Sequence, residues 1–120
     1  MKLLIALLVL PTALHAQGLR DGDRQMDRDG LMATLSGQAV AFHDGSVARY
    51  RGDGTYSYTY QPADPPFVGR FEAGNDSRVC VTFDNGFDRC DTFVFAGERL
   101  VLITEGGERF PAKAVEPLAD

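Results

Sequence analysis

The residues of this 120-residue chain best suited to binding chemistry are an alternating run of tyrosines, Tyr56, Tyr58 and Tyr60. Alternation with period 2 indicates a strand, and it places these three rings on one face together with Tyr50. Rings that line a barrel interior stack on an aromatic or sugar ligand while their hydroxyls orient it. The same pattern fits a filled core, and we expect Tyr56 and Tyr58 to be core residues because small barrels hold little more than their own side chains.

A second group of polar residues lies in turns that alternate along the chain. In an up-and-down arrangement of strands, alternate loops meet at the same end of the fold. We call this predicted group the acidic rim, and it consists of His43, Asp44, Asp64, Asp84, Asn85 and Glu105. Like charges gathered at one end keep a domain soluble, and they also complement a cationic partner.

Neither catalysis nor metal binding is predicted. His43 is the only histidine beyond residue 16, and the chain has no Gly-x-Ser-x-Gly sequence of the kind that presents a nucleophilic serine. Four aspartates are spaced in part like a calcium-binding loop: Asp21, Asp23, Asp27 and Asp29. Gln25 and Met26 occupy the positions where such a loop needs a further ligand and a glycine, so we expect no metal. Together with the missing serine motif and the single histidine, this predicts neither a cofactor nor enzymatic activity.

Both cysteines lie in a stretch, residues 78–95, that reads as two strands around a turn. A two-residue loop would pair Cys80 with Asp91, whereas a three-residue loop that ends on Gly86 puts Cys80 opposite Cys90. We favour the second register and predict a Cys80 to Cys90 disulfide on the solvent side of this hairpin.

The N-terminal residues have the layout of a secretory signal peptide. Lys2 precedes a short apolar run, and small residues end at Ala16, which predicts a mature chain from Gln17 that is secreted or periplasmic. The apolar run is shorter than a membrane span, so we expect no stable membrane insertion. Loss of Lys2 changes the formal charge from −5 to −6, which argues against nucleic acid as a partner.

Short strands with turn residues between them occupy most of the remaining chain. They are predicted at residues 38–42, 46–51, 55–60, 67–73, 78–83, 87–95, 99–104 and 108–115. Four of the turns end in glycine where a three-residue hairpin needs a positive φ. The fold class is therefore all-β, an antiparallel up-and-down meander that closes as an eight-stranded barrel, with a two-sheet β-sandwich as the alternative.

The domain layout follows from these strands. We predict a signal peptide over residues 1–16, a flexible lead-in over residues 17–30, one barrel domain over residues 31–116 and a tail over residues 117–120. Residues 31–35 are expected to form a short helical turn that begins after Asp29.

A short segment that ends at Leu35-Ser36-Gly37, followed by this meander, resembles the lipocalin-like (calycin) barrels. It is also similar to small exported bacterial barrels that act as lysozyme inhibitors. The likeness is one of layout over residues 31–115, since the lipocalin Gly-x-Trp signature is missing and no inhibitor loop motif is found. Two functions follow as expectations: a non-catalytic module that binds a macromolecular, cationic partner through the acidic rim, or a carrier of a small apolar or aromatic ligand in the tyrosine-lined lumen.

Overall fold

Nine strands and one helix occupy residues 18–119, the part of the chain that this computed structural model describes. The predicted signal peptide and its cleavage site lie outside the described residues. The elements are β1 (Asp23–Gln25), α1 (Arg28–Leu35), β2 (Gln38–Phe42), β3 (Val47–Tyr50), β4 (Thr55–Thr59), β5 (Phe67–Ala73), β6 (Arg78–Phe83), β7 (Asp88–Ala96), β8 (Arg99–Ile103) and β9 (Arg109–Pro117). All eight predicted strands are present within one or two residues of their expected ends.

The sheet is a closed antiparallel barrel of eight strands. Each strand from β2 to β8 pairs with the next one along the chain, and β9 pairs with β2 to close the ring. Strand β1 lies outside this ring and pairs with β7. Because strands β2 to β9 form one continuous closed sheet, the barrel prediction is confirmed and the alternative of a two-sheet sandwich is wrong.

The turns that set the strand register are the predicted three-residue loops. Gly45, Gly54, Gly86 and Gly107 all have φ between 88° and 93°, a conformation that costs a glycine little. The resulting pairs include Tyr50 with Tyr56 and Leu102 with Phe110. Because side chains alternate between faces, this register determines which of them enter the barrel.

The same rule places the disulfide. Cys80 lies directly opposite Cys90 on β6 and β7, and the two sulfurs are bonded. Val79 and Val81 alternate with Cys80 and point to the core. The bridge is therefore on the outer face, and the prediction is confirmed.

One end of the barrel is filled with apolar side chains. Helix α1 places Leu31 and Leu35 there, both without exposed surface. Next to them the ring of Tyr50 packs edge-on against Phe71 at 5.1 Å and Phe93 at 6.0 Å between centroids. With this end filled, the candidate site lies toward the opposite end of the barrel.

The predicted flexible lead-in needs correction for its later part. Residues 18–25, here called the N-terminal strap, run along the outside of the barrel and include strand β1, while the helix begins at Arg28 with Asp27 as its cap. Leu19 covers an outer apolar cluster that consists of Val94, Val101 and Ile103. The strap can form because β7 extends past Arg78, the first residue of β6, and leaves an edge for β1.

At the other terminus, β9 continues to Pro117, and the Leu118 amide donates to the Gly37 carbonyl. Regular structure thus passes the predicted domain end at residue 116. Among residues 18–119, no helix is both long and apolar enough to cross a membrane.

Candidate functional site

A cavity of about 280 Å³ opens at the end of the barrel opposite helix α1, and we call it the mouth cavity. Its walls come from strands β2, β3, β4, β7, β8 and β9 and from the loops that follow β2, β4 and β8. The lining residues are Phe42, Asp44, Ser46, Ala48, Tyr56, Tyr58, Tyr60, Arg89, Asp91, Leu102, Thr104, Glu108 and Phe110. The site therefore combines aromatic rings with charged groups of both signs.

Three of the four predicted lumen tyrosines line this cavity, and the fourth does not. Tyr50 is a core residue with 2% of its surface exposed, and burial raises the pKa of its hydroxyl well above the ordinary range. Tyr56 lies above it, 5% exposed, with its ring centroid 5.2 Å from that of Tyr50. Tyr56 thus forms the floor of the mouth cavity, and burial raises its pKa as well.

The walls above Tyr56 continue as a ladder of edge-to-face rings. The centroid of Tyr58 lies 5.0 Å from that of Tyr60, which in turn lies 5.9 Å from Phe67. Tyr58 is half-buried, whereas Tyr60 and Phe67 are exposed. Contacting aromatic rings therefore lead from the cavity wall at Tyr58 out to the solvent.

An ion pair occupies the inner face of β7 beside Tyr56. The Nε of Arg89 donates to Asp91 Oδ2 at 2.9 Å, and its Nη2 donates to Oδ1 at 2.8 Å. Asp91 is 10% exposed and Arg89 is 46% exposed, so the pair faces the cavity with its acidic member deeper. The hydrogen bonds to Asp91 raise the pKa of Arg89, so its guanidinium is charged at neutral pH.

Sequence reasoning missed this pair, although a signal was present. Arg89 and Asp91 are in phase with Phe93, an inward core residue, while Cys90 and Thr92 take the outer positions. The two charges were passed over because charged residues in a strand usually face solvent.

The carboxylate of Asp44 is held in place at the entrance of the cavity. Its Oδ1 accepts hydrogen bonds from the Ser46 backbone N–H at 2.9 Å and from the Ser46 hydroxyl at 2.6 Å. These bonds, led by the one from the hydroxyl, lower the pKa of Asp44. Gln61 Nε2 donates to the Asp44 carbonyl at 3.1 Å, so this loop is tied to the loop that follows β4.

The charges in the mouth cavity do not balance. Asp44, Asp91 and Glu108 supply three carboxylates, and Arg89 supplies the one cation of the lining. The guanidinium of Arg89 is already engaged by Asp91. The cavity consequently carries an excess formal charge of about −2, which favours a cationic group over an anionic one.

Of the six residues in the predicted acidic rim, the structure brings Asp44 into the mouth cavity and leaves the others outside it. His43 lines a separate groove next to β9, and Glu105 lies 3.8 Å from Arg78 in an exposed ion pair. Asp84 and Asn85 line a shallow depression with Phe67 and Val68, and Asp64 is exposed in the loop between β4 and β5. Of the six predicted rim residues, Asp44 is thus the one that lines the mouth cavity.

Within residues 18–119, no cluster of three or more histidine, cysteine or acidic side chains has a metal-binding arrangement. Asp23 is paired with Arg109, and Asp27 caps the helix, which gives two of the four early aspartates structural roles. Comparisons of the chain with known protein families, with curated proteins and with solved structures found no match.

Proposed function

We propose that this protein is an exported, non-catalytic binding module and that the mouth end of its barrel receives a cationic partner. The observation that carries the proposal is the unbalanced charge of the mouth cavity, where three carboxylates face one guanidinium that is already paired. A disulfide on the outer face suits an oxidising compartment, which supports export.

The surface around the opening supports a macromolecular partner. Three large apolar side chains near the mouth are exposed, namely Tyr60, Phe67 and Phe87, the last with 72% of its surface accessible. Aromatic side chains are enriched among the residues that contribute most to protein interfaces. A partner that covers these rings while it neutralises the carboxylates gains from both apolar burial and charge complementarity.

The carrier hypothesis has less support. Ligand pockets usually hold about 300 to 1,000 Å³, and the mouth cavity, at about 280 Å³, lies just below that range. Tyr50, which we expected in the lumen, is packed into the core. The remaining space fits a side chain of a larger molecule better than a free ligand of drug size.

The proposal is tested by association kinetics with the immobilised mature chain. Purified basic and acidic proteins of matched size are passed over it at about 50 mM and about 300 mM salt, where the screening length changes roughly twofold. We expect binding by basic proteins only, with association rates that fall at the higher salt concentration.

Two double variants locate the surface. Asp44→Asn with Glu108→Gln removes two charges at the mouth, and Glu72→Gln with Glu98→Gln removes two exposed charges elsewhere as a matched control. The mouth variant should associate several-fold more slowly with basic proteins, while the control should change little. Equal binding of acidic and basic proteins, or an equal effect of the control variant, would overturn the proposal.

A further inference from the structure

The floor of the mouth cavity carries a polar group without a partner. The Tyr56 side chain is 95% buried, yet its hydroxyl makes no hydrogen bond with any of the residues that the structure describes. Among these residues every fully inaccessible side-chain nitrogen or oxygen is hydrogen-bonded, so the Tyr56 oxygen must reach the open cavity. A hydroxyl that reaches the cavity and has no partner within the protein is available to a ligand.

From this arrangement, and on the basis of the proposed function, we infer that the mouth cavity binds one lysine or arginine side chain of the partner. The apolar stem of that side chain packs between Phe42, Leu102 and Phe110. Its charged tip donates to the Tyr56 hydroxyl and lies next to the Asp91 carboxylate. Asp44 and Glu108 stand at the entrance, where they attract the cation.

The size of the cavity fits an unbranched side chain. About 280 Å³ corresponds to roughly nine water molecules at ~30 Å³ each, enough for a four- or five-atom stem and a cationic head. The rings of Tyr58 and Tyr60 provide faces over which an ammonium or guanidinium group is attracted. An apolar stem with a charged tip is the shape that such a mixed lining complements.

Other chemical classes fit less well. A carboxylate would meet three carboxylates, and its only counter-charge, Arg89, already donates from Nε and Nη2 to Asp91. A purely apolar side chain would cover the Tyr56 hydroxyl and the ion pair without bonding to them, and burying unsatisfied polar groups is costly. Of these classes, only a cationic tip both pairs with the excess carboxylate charge and donates a hydrogen bond to the Tyr56 hydroxyl.

The test uses blocked single amino acids, so that no second surface of a partner contributes. The probes are N-acetyl methylamides of arginine and lysine, of neutral citrulline and norleucine, and of anionic glutamate. Binding is followed by backbone amide shifts and by tyrosine fluorescence, which reports on this site because the chain has four tyrosines and no tryptophan. We expect the cationic probes alone to shift the amides of Ser46, Tyr58 and Asp91, with dissociation constants of about 1 to 10 mM, as for a weak fragment.

The Tyr56→Phe variant removes the hydroxyl and keeps the ring in the core. It should weaken the binding of the cationic probes by about threefold to tenfold, in the range of the net contribution of one typical hydrogen bond, while its thermal unfolding stays close to that of the parent chain. Tyr50→Phe is the matched control, since Tyr50 lies below the cavity and does not line it.

The outcomes separate this inference from the proposed function. If basic proteins bind the mouth but the cationic probes do not shift it, or if Tyr56→Phe binds them as well as Tyr50→Phe does, the side-chain inference is wrong and the proposed function stands. Equal binding of the citrulline, norleucine or glutamate probes also refutes the inference. If neither basic proteins nor cationic probes bind, both proposals fail.

Discussion

Replacing Asp23 by asparagine is expected to loosen the N-terminal strap from the barrel and to destabilise the whole domain. Arg109 of β9 donates from Nη1 to Asp23 Oδ2 at 2.6 Å and from Nη2 to Oδ1 at 3.0 Å. Its Nη1 also donates to the Gly18 carbonyl at 2.8 Å. Only 11% of the Arg109 side chain and 4% of the Asp23 side chain are exposed, so solvent cannot replace the lost partner.

The magnitude follows from that burial. Removing one member of a buried ion pair typically costs about 3 to 5 kcal/mol, because the remaining charge is left uncompensated. In the Asp23→Asn variant Arg109 keeps its bond to Gly18, and the asparagine oxygen accepts one bond. We therefore expect a loss of about 3 kcal/mol in the free energy of unfolding at neutral pH, at the lower end of that range.

The same pair predicts how stability depends on pH. The hydrogen bond from Arg109 lowers the pKa of Asp23 against the opposing effect of burial, with smaller contributions from Arg20. A carboxyl group with a depressed pKa in the folded state stabilises that state above its unfolded pKa, about 3.9. This contribution is lost as the pH falls through the folded pKa, so the stability difference between the parent chain and Asp23→Asn should shrink below about pH 4.

The assay is urea denaturation followed by circular dichroism at about pH 7 and about pH 3. A double-mutant cycle with Arg109→Gln isolates the pairing energy, and Arg78→Gln with Glu105→Gln tests an exposed pair, expected to contribute at most about 1 kcal/mol. An Asp23→Asn variant within about 0.5 kcal/mol of the parent chain, the range of ordinary surface substitutions, would refute the reasoning.

Three further predictions concern the core, the bridge and the mature form. Tyr50→Ala and Tyr56→Ala should each cost about 3 to 5 kcal/mol in chemical denaturation, because each removes a large buried ring; near-parental stability would contradict their core packing. Reducing the disulfide should cost roughly 3 kcal/mol by the chain-entropy estimate for a short loop, and an unchanged denaturation midpoint under reducing conditions would contradict this. Intact-mass analysis of the secreted protein should show a chain that begins at Gln17 and has no free thiol, and a mass that includes residues 1–16 would contradict the export prediction.

The strand order and register were accessible from the sequence because local turn chemistry determines them. Each glycine at the end of a three-residue loop fixes one hairpin, and period-2 alternation then assigns side chains to faces. This is why the pairing of Cys80 with Cys90 was predicted correctly. Closure was predictable as well, since consecutive hairpins without a crossover leave two edges that can pair.

The N-terminal strap could not be predicted in the same way, because it depends on an offset between distant strands. Strand β7 pairs with β6 through residues 88–92 and with β1 through residues 94–96 on the same side. The free edge that receives β1 exists only after this stagger is formed. A polar, glycine-bearing segment has no local pattern that reports such an edge, so it was expected to be flexible.

The candidate site falls between these two cases. Connectivity predicted that Asp44 and the loop after β8 share one end of the barrel, and Asp44 does line the mouth cavity. Whether a loop carboxylate turns inward or outward depends on local hydrogen bonds such as those from Ser46, which the strand pattern does not reveal. Connectivity alone therefore does not identify which residues of the acidic rim line a cavity.

Folding alone gives no reason for charges on the inner face of β7. Phe93, two positions beyond Asp91 on the same face, is part of the core, and apolar residues at positions 89 and 91 would extend that core toward the mouth. Replacing a buried ion pair by apolar residues is often neutral or stabilising. Such a barrel would be filled at both ends, with no cavity for a side chain to enter. Arg89 and Asp91 instead keep the mouth polar and open. A loss of stability in exchange for function is typical of binding sites. This supports placing the function at the mouth of the barrel.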